Sequence, residues 1–407
     1  MPDSNQVSPS NNTNSLLGDI SFAEFLSDYW QKKPLLIRQA IPNYQSPISA
    51  DELAGLACYE NIESRIVLEK DRLAPWTVLH GPFYESDFNT LPETHWTLLV
   101  QECNTHVPEL AMLLEKFNFI PNWRIDDVMV SYAVKDGSVG PHTDQYDVFL
   151  LQAQGTRHWK INAYKDRDAT YLEDTELRIL KNFECEEEWI LEPGDMLYLP
   201  PDVAHYGIAN NDCMTISIGF RAPDYYSLLA AYVDDQYAKV DDPYSIPRYR
   251  DPNLKLQQSC GEISEDSLQS IIDIIQSNTK DPEDIKRWFG RYITEPKNNI
   301  EPILPEVAYT PNTLVDTCKS EKTIHRLEEA RFSYLKKDDQ TSLMYVCGDE
   351  YVLDNQLQSL AEILCDHRRI STTDIVPYLN VITSCKILVS LFNKGYLLFD
   401  DLADSNN

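Results

Sequence analysis

Basic residues are scarce in this sequence. Lysine and arginine number 35 against 65 aspartates and glutamates, and the formal net charge is −30. Such a surface repels phosphate backbones, so nonspecific binding to nucleic acid is excluded as a function class, and a basic protein is the kind of partner it attracts. The charge by itself also fits a role in solubility alone, and composition does not separate these two readings.

The sequence also lacks paired cysteines and long apolar runs. Its nine cysteines are scattered and none forms a C-x-x-C pair, which argues against a zinc cluster and against a disulfide framework. No apolar run is long enough to span a bilayer, and the N-terminus has no basic-then-apolar signal pattern. We therefore expect reduced thiols, a cytoplasmic location and no membrane association.

The 407 residues are enough for two or three domains. Residues 1–18 are rich in Ser, Asn and Pro and are predicted to be a disordered tail. Between about residues 124 and 221, short strand-like runs alternate with Gly and Pro turns, which indicates an antiparallel barrel or a double-sheet jelly roll. Residues 223–295 have helical periodicity, and a Pro-containing stretch over 295–311 marks a boundary.

The last hundred residues predict a helix over Thr317–Glu328, a pair of strands, a helix pair and a final strand, which resembles a winged helix. Residues 301–407 carry ten lysines and arginines against seventeen aspartates and glutamates. Because no basic recognition helix stands out, we expect no direct DNA binding and a structural or protein-docking role for this region.

The strongest chemical signal is the segment GPHTD at 140–144. If it lies in a strand, His142 and Asp144 point to the same face and can converge on one metal ion. Further along the chain, EPGD at 192–195 makes a tight turn into an apolar strand, and His205 lies beyond the far end of that strand, about sixty residues after Asp144. Two imidazoles and one carboxylate form the facial triad of non-haem iron(II) oxygenases, although a zinc or manganese cupin could use the same residues.

A 2-oxoglutarate co-substrate would need a cation inside such a barrel. Arg157 begins the strand that follows the HxD region, and its planar guanidinium suits a bidentate contact to a carboxylate. Ser131, in the strand before the HxD, could add a hydroxyl donor. The alternative is that Arg157 is a surface arginine, with Lys160 as the next candidate cation.

These motifs resemble the bacterial ribosomal oxygenases, a branch of the JmjC and cupin hydroxylases. The resemblance runs from about residue 20 to the C-terminus, and the segments that carry it are DELAGLA at 51–57, HGPF at 80–83, WRIDDVM at 123–129, VGPHTDQYDVF at 139–149, EPGD at 192–195, GFRAP at 219–223 and WFG at 288–290. Where the family has a basic run before the tryptophan, this chain has Thr156-Arg157-His158, which keeps the arginine. Relatives that act on histidine tend to have lysine there, so Arg157 favours the arginine-modifying branch.

The resemblance implies an α+β protein in three parts. A JmjC/cupin jelly-roll (double-stranded β-helix) catalytic domain would occupy residues 19–222, a helical dimerisation domain residues 223–295 and a winged helix residues 296–407. The implied activity is hydroxylation of an arginine β-carbon in a basic large-subunit ribosomal protein, with Fe(2+) as cofactor and 2-oxoglutarate and O2 as co-substrates. A JmjC-type demethylase and a non-catalytic cupin regulator remain the alternatives.

Strand parity then predicts which residues would contact an incoming arginine. If Ser131 faces into the barrel, Met129 and Asp127 face the same way, with Asp127 at the mouth to accept hydrogen bonds from a guanidinium. Tyr146 is two residues past Asp144 and could pack against the guanidinium plane. Ser217 could line the opposite wall. The alternative is that Asp127 caps a turn and that Met129 and Tyr146 belong to the core.

Overall fold

The computed structural model describes residues 16–69, 76–162, 170–173, 175–250, 252, 263–277, 281–297, 300, 302–321, 323–337 and 341–399. It divides into two compact units, Met1–Ala222 and Pro223–Asn407. Residues 1–15 of the expected tail lie outside the described residues. The tail was expected to extend to residue 18, but the packed structure begins earlier, because Leu16 and Leu17 are buried in the core of the first unit.

Helices cover one side of the first unit and strands make its framework. The helices are α1 (Phe22–Asp28), α2 (Ala50–Leu56), α3 (Glu85–Phe88) and α4 (Pro108–Leu114). The strands are β1 (Leu35–Ile37), β2 (Ser64–Leu68), β3 (Thr77–His80), β4 (Trp96–Val100), β5 (Ile125–Ala133), β6 (Asp147–Gln154), β7 (Arg157–Asn162), β8 (Glu187–Leu191), β9 (Met196–Leu199), β10 (Ala204–Ala209) and β11 (Cys213–Phe220).

These strands form two antiparallel sheets, with orders β1-β9-β6-β11-β5-β4-β2-β3 and β10-β7-β8. The strands β6 and β11 are buried along nearly their whole length, because both faces of the larger sheet are covered. On one face Phe149 and Ile216 pack into the core formed with the N-terminal helices. On the other face Leu150 packs with Trp159 of the smaller sheet. The jelly roll expected from the sequence is therefore present, and its interior lies between the two sheets.

The N-terminal helices are fixed to the outer face of the larger sheet by aromatic packing. Ser21 caps α1 by accepting a hydrogen bond from the Glu24 backbone, and Ser49 forms a capping box with Glu52 at the start of α2. Phe25 of α1 is fully buried and packs edge-on against Tyr198 at a centroid distance of 4.9 Å. This packing leaves the inner face of the sheet available for the site.

The second unit combines helices with two three-stranded sheets. Its helices are α5 (Tyr225–Ala238), α6 (Glu265–Ser277), α7 (Pro282–Thr294), α8 (Pro311–Ser320), α9 (Gln358–Asp366), α10 (Thr372–Leu379) and α11 (Ile382–Asn393). Its strands are β12 (Thr323–Arg326), β13 (Phe332–Lys336), β14 (Thr341–Val346), β15 (Asp349–Asp354), β16 (Arg369–Ser371) and β17 (Leu397–Phe399).

The sheet order β16-β12-β17, packed with α8 to α11, gives the winged-helix arrangement. The predicted helix over Thr317–Glu328 is wrong. Helix α8 ends at Ser320, and the following residues form β12, whose Ile324 pairs with Ile370 and Phe399. In the part of the chain that the structure describes, no helix has both the length and the apolar character needed to cross a bilayer.

Candidate metal centre

The three predicted ligands lie on two backbone segments that run antiparallel to each other. The His142 N–H donates to the His205 carbonyl at 3.0 Å, the His205 N–H donates to the His142 carbonyl at 2.9 Å, and the Asp202 N–H donates to the Asp144 carbonyl at 2.8 Å. The expectation that a single strand presents His142 and Asp144 is wrong, because these residues lie in the loop before β6 and His142 makes only an isolated bridge. His205 belongs to a separate strand, β10, that pairs with β7.

A glycine allows the loop that carries His142 to pack closely. Gly140 has a φ of +81°, and a Cβ placed on it would lie 2.9 Å from Ile179. Leu180 donates its backbone N–H to the Pro141 carbonyl at 2.8 Å. A side chain at residue 140 would be strained and would also displace Ile179, so the glycine sets the path of the chain into His142.

The imidazoles are oriented by hydrogen bonds to the backbone. The Nδ1 atom of His142 lies 2.9 Å from the Gly140 carbonyl, and Nδ1 of His205 lies 3.0 Å from the Val203 carbonyl. These contacts place the protons on Nδ1 and leave both Nε2 atoms as free electron-pair donors. The Asp144 carboxylate is 4.0 Å from His142 Nε2 and 3.6 Å from His205 Nε2.

One donor atom from each of His142, Asp144 and His205 lies within 4.8 Å of the others. This is the spacing needed for two imidazoles and a carboxylate to bind one divalent ion, with the remaining positions open to other ligands. Burial, and then the neighbouring His142, lower the pKa of His205 to about 4. The buried imidazole is therefore neutral at physiological pH, as metal binding requires.

Arg157 lies inside the barrel and has an incomplete set of partners. Its side chain is 3% exposed, and its guanidinium donates to Ser131 Oγ at 3.4 Å, to Thr215 Oγ1 at 3.5 Å and to the Gly207 carbonyl at 3.3 Å. Its Nε atom is buried and contacts no hydrogen-bond acceptor among the described residues. Burial lowers the pKa of this arginine, and no carboxylate is placed to oppose that effect in the described part of the chain.

A buried guanidinium held only by long, neutral contacts suits a carboxylate ligand, which would supply both charge and acceptors. Arg157 and Ser131 are thus brought together as expected. Lys160, the next candidate cation, lies on the opposite face of β7 from Arg157, because strand residues alternate in direction. Thr215 was missed by the sequence analysis, although it is two residues before Ser217 in the same strand and the same parity rule would have included it.

The register of β5 and β11 places two predicted substrate residues on the inner face. Ser131 is opposite Thr215, and Met129 is opposite Ser217. Directly opposed residues share a face, so Met129 and Ser217 lie on the side that carries Arg157's partners. Asp127 lies at a β-bulge, where the register shifts between Ile218 and Phe220, so strand parity does not assign its face. Asp127 is half-buried and its Oδ2 accepts a hydrogen bond from the Glu102 backbone at 3.2 Å. The adjacent Asp126 forms an ion pair with Arg221 at 3.6 Å.

Tyr146 lies beside Asp144, but the parity argument for it does not apply because these residues are outside any strand. The residue is 43% exposed, while its hydroxyl end is buried near carboxylates. Burial raises the pKa of this phenol, the charges of Asp144 and Asp127 raise it further, and Arg65 lowers it. The side chain therefore stands at the edge of the metal site, between the ligand Asp144 and the solvent.

A second buried carboxylate anchors the chain directly after this loop. Asp147 is fully buried at the start of β6, and it accepts hydrogen bonds from Tyr198 at 2.7 Å, Gln31 at 2.8 Å and Arg124 at 3.2 Å. Burial raises the pKa of Asp147, and these three donors oppose that effect. They hold the beginning of β6 and, with it, the end of the loop that carries Asp144.

Two family models match the chain. One, described as a JmjC domain, matches residues 112–228, and the other, described as a ROXA-like winged helix, matches residues 274–397. The first contains strands β5 to β11 and the three candidate ligands, and the second contains helices α8 to α11 and strands β12 to β16.

The chain is 31% identical over 387 residues to the ribosomal protein uL16 3-hydroxylase of Escherichia coli, with 94% of this chain and 98% of that protein covered. It is 33% identical over 327 residues to a probable ribosomal oxygenase of Haemophilus influenzae, covering 79% and 78% of the two chains. Among solved structures it is similar to YcfD, a ribosomal oxygenase from Escherichia coli in complex with cobalt and 2-oxoglutarate. That match has a TM-score of 0.80 and 31% identity and covers 94% and 99% of the two chains.

Proposed function

This chain belongs to the ribosomal oxygenases, and we propose that it hydroxylates an arginine of ribosomal protein uL16 at the β-carbon, using iron(II), 2-oxoglutarate and O2. The observation that carries this proposal is the convergence of His142, Asp144 and His205 next to a buried arginine that lacks a carboxylate partner among the described residues. The relative's name supplies the substrate protein, and 3-hydroxylation is oxidation of the β-carbon.

His142, Asp144 and His205 would bind the iron through two Nε2 atoms and one carboxylate oxygen. With iron bound, the site couples oxidative decarboxylation of 2-oxoglutarate to succinate and CO2 with insertion of one oxygen atom of O2 into a C–H bond. The chain's own contribution is to orient both imidazoles through their Nδ1 atoms, so that each Nε2 is free, and to leave neighbouring coordination positions open.

Arg157 would bind the distal carboxylate of 2-oxoglutarate inside the barrel, assisted by the hydroxyls of Ser131 and Thr215. A related structure contains cobalt with succinic acid and another contains cobalt with 2-oxoglutarate, which supports a site for a dicarboxylate beside a metal in this fold. The low-dielectric interior makes a charge-assisted pair at Arg157 stronger than it would be at the surface.

Asp127, Met129, Tyr146 and Ser217 would form the passage for the target arginine. Asp127 is the acceptor for the guanidinium at the mouth, Tyr146 offers a ring face to its plane, and Met129 with Ser217 line the apolar stem. This arrangement selects a cationic side chain long enough to reach from the carboxylate at the mouth to the metal.

The test is intact-mass analysis of uL16 after incubation with the enzyme, iron(II) and 2-oxoglutarate. We expect a gain of one oxygen atom, where a demethylase would instead remove a methyl group. Replacing His142, Asp144 or His205 singly by Ala should abolish the gain while the circular dichroism spectrum and the melting temperature of the iron-free protein stay close to those of the parent. Retained activity in any two of these variants would refute the ligand assignment.

The helical segment 223–295 is also proposed to form a homodimer. Tyr226, Leu229 and Val233 of α5 are more than half exposed, and α6 exposes Ile271 and Ile275 along one side. Apolar helix faces of this kind pair readily in an isologous interface, where each patch contacts its own copy. Sedimentation at micromolar concentration should show a dimer, and Ile271→Glu with Ile275→Glu should convert it to monomer.

We propose a cytoplasmic location, where ribosomal proteins are made, and a protein-docking rather than a DNA-binding role for the winged helix. Helix α11 buries Ile387, Leu388 and Leu391 in the core of its own domain. The apolar face of this helix therefore packs inside the domain. The acidic character of residues 301–407 also disfavours contact with the phosphates of DNA.

A further inference from the structure

Arg65 faces the same side of the larger sheet as the co-substrate residues. In the register of the sheet, Ser131 of β5 is opposite Leu99 of β4, and Leu99 is opposite Arg65 of β2. Opposed residues of antiparallel strands point to the same face. The neighbours of Arg65 in sequence confirm the direction, since Ile66 packs in the core on the other face with Leu98 and Val100.

Arg65 is distinct from the arginine that would bind the co-substrate. Two strand spacings separate it from Ser131, which is about 10 Å between Cα atoms. Arg157 contacts Ser131 directly, whereas Arg65 lies two strands away from Ser131 across the same face. Arg65 therefore lies on the inner face beside the co-substrate residues and outside the group that contacts Arg157.

The guanidinium of Arg65 has no acidic partner among the residues that the structure describes. No carboxylate lies within ion-pair distance of it in the described part of the chain, although acidic residues outnumber basic ones by almost two to one. Its Nε atom is buried and makes no hydrogen bond to the described residues. A buried donor without an acceptor destabilises the protein by roughly 1–3 kcal/mol, and an incoming acceptor would remove this destabilisation.

We propose that Arg65 binds the protein substrate, by donating hydrogen bonds to main-chain carbonyl oxygens next to the target arginine. This inference rests on the proposed function. A basic ribosomal protein offers few carboxylates, while its carbonyl oxygens are acceptors present at every residue. The positive charge of Arg65 also repels the target guanidinium, which directs that group toward Asp127 and so sets the direction in which the substrate chain crosses the mouth.

The experiment uses the full-length enzyme with fluorescently labelled recombinant uL16 and compares Arg65→Met and Arg65→Lys with the parent. Binding is measured by anisotropy and turnover by the gain of one oxygen. We expect Arg65→Met to raise the dissociation constant and the KM for uL16 about tenfold, with kcat and the KM for 2-oxoglutarate within twofold of the parent. Arg65→Lys should recover part of the loss, since it keeps the charge but not the planar fork.

Arg38→Met is the matched control, because Arg38 is in the same unit but is paired with Asp195 at 2.6 Å. It should lower the melting temperature and leave both KM values unchanged. Unchanged uL16 binding in Arg65→Met, or an increase confined to the KM for 2-oxoglutarate, would overturn the proposal. If the parent binds uL16 without oxidising it, the proposed function fails while the anisotropy comparison still decides the role of Arg65.

Discussion

Each of the two units buries an arginine without an acidic partner among the described residues, and the two are held in different ways. In the second unit, Arg326 donates to the carbonyls of Cys365 at 2.9 Å, Leu364 at 3.5 Å and Ala330 at 3.4 Å. In the first unit, Arg157 is 3% exposed and has only the three long contacts to two hydroxyls and one carbonyl.

The difference follows from what surrounds each guanidinium. Leu364 and Cys365 belong to the last turn of α9, whose carbonyls have no partner within the helix and carry partial negative charge. Arg326 completes that helix end and also lies over the ring of Phe332 at 4.4 Å. Both guanidinium groups keep a buried Nε without an acceptor among the described residues. The three acceptors around Arg326 are carbonyls, two of them at a helix end, whereas those around Arg157 are two hydroxyls and one carbonyl. Helix-end carbonyls around a guanidinium indicate a structural arginine, whereas hydroxyls, which can also donate to a carboxylate, indicate one that receives a ligand.

The largest expected effect tests the structural side of this comparison. Arg326→Met should destabilise the second unit by about 4 kcal/mol, because several buried carbonyls lose their donor at roughly 1–3 kcal/mol each. Urea denaturation of the full chain measures this loss. The specific activity of the molecules that remain folded should be unchanged, and a destabilisation below about 1 kcal/mol would show that Arg326 is not needed for its helix end.

The next effect concerns protonation in the first unit. Burial lowers the pKa of His205 to about 4, below its ordinary value of 6.5, so the unfolded chain binds a proton that the metal-free folded protein excludes between these pH values. Stability is therefore complete above pH 6.5 and falls by about 3 kcal/mol as the pH drops to 4. The free energy of unfolding is measured against pH for the metal-free parent and for His205→Asn. Equal slopes of this free energy between pH 4 and 6.5 in the two proteins would contradict the prediction.

Arg157→Met tests the ligand-binding side of the comparison. It should raise the apparent requirement for 2-oxoglutarate roughly 100-fold, since a charge-assisted pair shielded from water is lost. Unlike Arg326→Met, it should leave the unfolding free energy unchanged or higher, because an uncompensated buried cation is removed. Arg157→Lys should be impaired less, and co-substrate dependence equal to the parent's in both variants would assign the role to another cation.

The smallest effect compares two adjacent carboxylates at the β-bulge of β5. Asp127→Asn should raise the KM for uL16 about tenfold and keep the binding of iron and 2-oxoglutarate, because only the contact to the incoming guanidinium is weakened. Asp126→Asn should be near normal, since Asp126 is already paired with Arg221. A reversed order of the two variants would show that Asp126, rather than Asp127, contacts the substrate.

Much of the first unit could be predicted from local patterns. The strands β6, β7 and β11 lie within one or two residues of the expected runs, since alternation and turn residues are local signals. The predicted helix over Thr317–Glu328 failed because residues 323–326 form a strand only by pairing with β16 and β17, which lie far along the chain. Local propensity does not contain that pairing.

The sequence alone determined the identities of the candidate ligands, the cation Arg157 and the inward parity of Met129 and Ser131, because residue chemistry and strand alternation are properties of the chain. Only the tertiary structure decided how these groups meet. His142 and His205 converge through a backbone bridge between distant segments, not through strand parity, and Arg65 joins the inner face through strands β4 and β2. Sheet register depends on contacts between residues far apart in sequence, and the same register that brings the ligands together also leaves Arg157 and Arg65 without acidic partners among the described residues.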